Sequence, residues 1–145
     1  TALWKQALDK YRRIGDRRGE ASTLNNLGVH YSKLEINLSK AKDYCEQSLL
    51  IHQEIGNRMG EGVACKNLGA TAMDQGDYAA AVTWLSQSLD IRCEIGYRKG
   101  ESYSRIFLGK CHFDLGEYEQ AKKYYTQSLN ITREIGDLEG EILAH

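Results

Sequence analysis

Proline is absent from the 145 residues of this chain. Proline interrupts helix interiors and central strands, so nothing of that kind limits the length of a regular segment here. Long hydrophobic runs are missing as well. No stretch of about 18 apolar residues occurs, and the opening "TALWKQALDK" has no basic region followed by an apolar one, so neither a membrane-spanning helix nor a secretory signal is visible. Charge of one sign is not in excess: 19 Lys+Arg stand against 20 Asp+Glu, which provides no field to draw nucleic acid or an anionic membrane. Cysteine is sparse and never spaced as C-x-x-C. Cys45, Cys65, Cys93 and Cys111 lie 20, 28 and 18 residues apart, a pattern that predicts reduced thiols in a cytoplasmic protein. The chain starts at Thr1 rather than at a methionine, which suggests a piece excised from a longer protein.

What is present is a period. With 41% hydrophobic and 27% charged residues the composition is that of an ordinary globular domain. "IGDRRGE" from Ile14 returns as "IGNRMGE" from Ile55, "IGYRKGE" from Ile95 and "IGDLEGE" from Ile135, at spacings of 41, 40 and 40. Leu27-Gly28, Leu68-Gly69 and Leu108-Gly109 keep the same beat, as do Ala41, Ala81 and Ala121, and "QSL" at Gln47, Gln87 and Gln127. Of the 14 glycines, only Gly62 falls outside this repetition. A phosphate-binding loop is needed once, so a glycine motif present four times is punctuation.

Each period holds two stretches with helical spacing of small and apolar residues, such as 64–73 and 78–95. Between them "DQGDY" and "DLGEY" provide a glycine for a left-handed turn and, in Asp77, a helix cap. The first repeat has one extra residue in "KLEINLS" and no glycine there, which leaves Asn37 or Ser39 to cap. The expectation is an all-α chain built from one helix pair per repeat. Stacked pairs share a continuous core, with Gly28, Gly69, Gly109 and the three alanines at points of close helix approach.

"NLGATAMDQGDYAAAVTWLSQSL" and "FLGKCHFDLGEYEQAKKYYTQSL" resemble the tetratricopeptide repeat. Leu68, Gly69, Gly76, Tyr78, Ala81, Leu85, Ser88 and Leu89 match its pattern, as do Leu108, Gly109, Gly116, Tyr118, Ala121, Tyr125, Ser128 and Leu129. The first repeat matches at Leu27, Gly28, Tyr31, Ala41, Ser48 and Leu49 but departs at Cys45 and in its turn. A repeat of about 40 residues instead of about 34, joined by "E-I-G-D-x-x-G-E", looks like the variant found in LGN/Pins spindle-polarity adaptors. The resemblance implies a right-handed α-solenoid of antiparallel helix pairs. Residues 1–15 are expected to be the second helix of a preceding repeat, 16–56, 57–96 and 97–136 three repeats, and 137–145 the start of a following one.

It also implies a function: a cytoplasmic, non-enzymatic scaffold or signalling adaptor that needs no cofactor and binds a peptide segment of a partner protein along the concave face. Carried over onto this sequence, the family's ligand-facing positions are Asn25, Asn26, Val29 and Ser32; Lys66, Asn67, Ala70 and Met73; and Tyr103, Ile106, Phe107, Lys110 and Phe113. Asn26 and Asn67 are expected on the peptide backbone, since an amide both donates and accepts. Lys66 and Lys110 are expected on acidic groups, and Tyr103, Phe107 and Phe113 at an apolar end of the groove. The chaperone-type carboxylate clamp is excluded, because Asn25 and Val29, then Tyr103 and Phe107, stand where its cationic and amide supports belong.

Other chemistries lack residues. Each loop copy reads Gly-Glu between helices rather than Gly-Lys-Ser/Thr after a strand, so no Walker loop exists. Adjacent Cys111 and His112 diverge on a helix and have no spaced partner pair for a metal, and nothing outside the repeat pattern pairs a nucleophile with a base. Glu20, Glu61, Glu101 and Glu141 repeat with the fold and are expected to serve helix-start electrostatics; Trp84 and Trp4 are expected to pack. One competitor survives, a structural solenoid segment that associates head to tail through Leu3, Trp4 and Leu8 at one end and Ile131, Ile135 and Ile142 at the other.

Overall fold

A computed structural model describes residues 2–144, with side chains described up to Gly136. Seven helices follow one another: α1 Ala2–Ile14, α2 Arg17–Lys33, α3 Leu38–Ile55, α4 Arg58–Asp74, α5 Tyr78–Glu94, α6 Arg98–Asp114 and α7 Tyr118–Ala144. No strand occurs among the described residues. Three of the short joints combine a left-handed glycine with a side-chain cap, whereas after Gly96 the residue Tyr97 makes no cap hydrogen bond. Gly56 takes φ 71° after α3, where a side chain would be strained, and Asn57 accepts the Gly60 N–H at 3.2 Å as the cap of α4. Asp16 and Asp77 cap α2 and α5 in the same way.

The first repeat's turn resolves in favour of Asn37, whose Oδ1 accepts the Lys40 N–H at 3.1 Å. The residue before it, where the other repeats put Gly76 or Gly116, is Ile36 at φ 49°. A β-branched residue in the left-handed region is strained. Ile36 is also 76% exposed, so its side chain contributes little packing in return. Ile36→Gly is expected to stabilise the chain by about 1 kcal/mol, read as a higher urea midpoint at unchanged slope.

Helices pack as antiparallel pairs, α2 on α3, α4 on α5 and α6 on α7, with α1 on α2. The core is strung along the stack in successive layers. Leu8, Leu24, Leu27, Tyr31 and Ile51 form the first, Cys45, Leu49, Cys65, Leu68 and Ile91 the second, and Leu85, Leu108 and Cys111 belong to the third. The expected close approaches are real: a Cβ on Gly28 would lie 2.5 Å from Cys45 Sγ, one on Gly69 2.7 Å from Leu85 Cγ, and one on Gly109 2.8 Å from Tyr125 Cε1. The "QSL" serines tie the paired helices together. Ser48 donates to the Ala21 carbonyl at 2.8 Å and Ser88 to that of Gly62 at 2.9 Å, both fully buried, and Ser128 meets Ser102 at 2.7 Å.

Ion triads repeat as well. Arg17 reaches Glu20 at 2.9 Å and Glu54 at the end of α3, Arg58 reaches Glu61 at 3.0 Å and Glu94, and Arg98 reaches Glu101 and Glu134. The repeated first-turn glutamates therefore do more than favour helix starts. Buried to within 7% of full coverage, Glu20, Glu61 and Glu101 each hold the arginine that reaches across to the end of the partner helix. The arginines remain close to half exposed, so each triad contributes modestly.

The fourth joint differs from the other three. Helix α7 runs through Gly136, and Leu138 stands in sequence where the others have Arg17, Arg58 and Arg98. That joint has no arginine to form a triad. The expectation that 137–145 open a further repeat concerns side chains outside the described residues, as does the role expected of Glu141 and Ile142.

Candidate functional site

Curvature identifies the inner face. Helix α2 touches α4 and α4 touches α6, whereas α3 and α5, and α5 and α7, make no such contact among the described residues. First helices are thus drawn together on the concave side and second helices fan apart on the convex one. A cavity of ≈ 230 Å³ opens on that inner side, and all three first helices line it. Val29, Ser32 and Lys33 come from α2, Lys66, Asn67, Ala70, Met73 and Asp74 from α4, and Phe107 and Lys110 from α6.

Eight of the thirteen expected ligand-facing residues thus meet at one place: Val29, Ser32, Lys66, Asn67, Ala70, Met73, Phe107 and Lys110. The other five do not line it. Asn25 is 8% exposed and accepts the Asn67 Nδ2–H at 2.9 Å, so it lies beneath the groove and orients Asn67. Asn26, expected to pair functionally with Asn67, is exposed and does not line the cavity. One residue is 100° of helix, and α2 is turned so that Asn25 faces α4. Tyr103 lines a separate depression with Lys99, Ser102, Ile106, Thr132 and Ile135. Phe113 is exposed and stacks edge-to-face on Tyr118, centroids 5.1 Å apart, at the turn into α7.

Lys33 and Asp74 line the cavity without having been foreseen. Both stand five residues after the motif glycine, four after Val29 and Ala70, and residues four apart share a helix face. Continuing the stripes 25, 29, 33 and 66, 70, 74 would have found them.

The cavity is cationic. Lys66 is half-buried, and burial first, then the charges of Arg92 and Lys33, lowers its pKa. Lys110 is exposed, with its Nζ 5.9 Å from the centre of the Phe107 ring. None of Lys33, Lys66 and Lys110 forms an ion pair among the described residues. Asp74 is the single carboxylate in the lining. Cys45 also reaches the lining but is 1% exposed, and burial pushes its thiol up to about 12. Cys65 and Cys111 are pushed up to about 11. Such thiols are protonated at neutral pH and inert as nucleophiles; all four cysteines are free. Among the described residues no group of three His, Cys, Asp or Glu side chains is placed to hold a metal ion, and no helix is long and apolar enough to cross a membrane.

The comparisons agree with this architecture. A family model described as "Tetratricopeptide repeat" matches residues 62–134. The crystal structure of the TPR domain of Arabidopsis FLU superposes with a TM-score of 0.76 at 22% identity, covering 81% of this chain and 98% of that one. BtubC (BKLC) from P. vanneervenii superposes with a TM-score of 0.84 at 19% identity over 93% of this chain, which spans 56% of BtubC. At these identities the likeness is one of fold. No curated protein sequence is close enough to the chain to count as a match.

Proposed function

Because the chain belongs to the tetratricopeptide repeat family, we propose that it is a protein-interaction module, a scaffold or adaptor, whose concave face captures an extended segment of a partner protein. The observation that carries this reading is the cavity crossing α2, α4 and α6 with an oriented amide inside it. With its N–H given to Asn25, Asn67 keeps its Oδ1 for a backbone N–H of the segment. Ala70 leaves room beside it, and Val29, Met73 and Phe107 offer apolar contact.

Asn67 and Asn26 separate the groove from the exposed remainder of the first helices. For a segment captured by this chain and then synthesised, Asn67→Ala is expected to weaken affinity about fivefold, the worth of one ordinary hydrogen bond. Asn26→Ala is expected to leave it unchanged. Equal effects at the two positions, or none at Asn67, would remove the groove assignment.

The end-to-end alternative has lost two of its contacts. Leu8 and Ile131 are 6% and 4% exposed and belong to the core, which leaves Leu3, Trp4 and half-buried Ile135 as its described apolar residues.

A further inference from the structure

The charge in the groove is uncompensated. Three lysines line it against one aspartate, and the most buried of them, Lys66, sits near further positive charge. Arg92, 5% exposed, donates its Nη1 to the Gly100 carbonyl at 3.0 Å and to Ser104 Oγ at 3.1 Å, while its Nε is buried without a partner. A half-buried cation without an anion, as Lys66 is, costs stability in the free protein, and an arriving anion offsets that cost.

We propose that the partner segment is acidic and places a side-chain carboxylate on Lys66, with Lys33 and Lys110 at its flanks and an apolar neighbour on Val29, Met73 and Phe107. This deepens the peptide-groove reading and rests on it. A carboxylate fits better than a phosphate for two reasons. No arginine lines the cavity, so the bidentate fork that favours phosphate is missing. The lining also comes from the C-terminal halves of α2 and α4, ending at Lys33 and Asp74, where helix dipoles present their negative ends and disfavour a dianion.

The test uses a displayed library of randomised dodecapeptides, selected on the wild-type chain, with the bound peptides then synthesised and titrated. Selected peptides are expected to share Asp or Glu at one position. Changing that residue to Asn or Gln, or changing Lys66→Met, is expected to weaken binding about tenfold or more, and the two changes together little further. Lys66→Met is expected to melt at or above the parent temperature, because it removes a cation that no carboxylate pairs with. A melting temperature clearly below the parent's would assign Lys66 to the fold and overturn the proposal. Peptides that occupy the groove without a shared acid, or that bind Lys66→Met as tightly as wild type, would overturn the carboxylate while leaving the groove standing. Tighter binding when phosphoserine replaces the shared acid would overturn it in favour of a phosphate site. Failure of every library peptide to bind the concave face would overturn both readings.

Discussion

Gly69→Leu is expected to abolish cooperative thermal melting of the chain, or to lower its midpoint by many degrees. The position lies where α4 meets α5, and even a Cβ there would come within 2.7 Å of Leu85 Cγ and 2.9 Å of its Cδ2. Leu85 cannot retreat, being 0% exposed among Ala81, Leu108 and Cys111. Three further carbons must then push α4 and α5 apart, at about 1–3 kcal/mol or more from overpacking. Gly62→Ala is the control. Its Cβ would meet Ile91 Cγ2 at 3.4 Å, an ordinary contact, and the corresponding position of the first repeat is already Ala21. Relief of glycine's helix penalty is expected to raise stability by up to about 1 kcal/mol. A Gly69→Leu chain that melts like its parent would show that the glycine is not there for close approach.

The second large effect concerns binding. Phe107→Ala is expected to lower affinity for a groove-bound segment by about 2 kcal/mol or more, roughly thirtyfold, as for an aromatic anchor at the centre of an interface. Phe107 is half-buried against the third core layer and also carries the Lys110 ammonium over its ring. Truncation therefore removes apolar contact, frees Lys110 and costs some stability, so affinity must be referred to the folded fraction. Phe107→Leu keeps most of the volume and the core contact, and is expected to lie between wild type and alanine. Identical affinities for all three chains, measured by calorimetry, would take Phe107 out of the site.

Much of the fold can be read in the residues because a solenoid writes its instructions several times. Leu-Gly, the alanine thirteen or twelve residues on and "QSL" fix where paired helices touch, and the joints announce themselves by glycine, followed by Asp or Asn at three of them. Recurrence made each of these legible, since a signal seen three times is separable from composition. The turn of the first repeat, without its glycine, was ambiguous for that reason, and Asn37 settled it only with Ile36 held in a strained conformation. The triads were written in the sequence too, as Arg-x-x-Glu and Glu-Ile-Gly. Their meaning depends on residues 36 or 37 positions apart that meet only when the helix pair closes.

The groove was legible in outline and not in detail. Eight expected residues converge because they sit at fixed offsets from a glycine that fixes the phase of each first helix. Asn26 and Asn67 share an offset but not a setting: Asn67 turns toward Asn25 of the preceding first helix, whereas α2 is preceded only by α1. Tyr103 and Ile106 fell outside because they face the depression between α6 and α7, and Phe113 because it packs on Tyr118 at the turn into α7. The cationic balance needed Lys33, which lies on the stripe 25, 29, 33 one turn past the offsets carried over from the glycine.

The most direct test of the central claim is an amide chemical-shift map of the labelled chain during titration with a captured partner segment. The groove reading predicts that shifts concentrate at Val29, Lys66, Asn67, Ala70, Met73 and Phe107, with Trp84 on the convex side and Leu3 at the α1 end unmoved. Shifts confined to α1 and to the outer face of α7, with the groove silent, would contradict it.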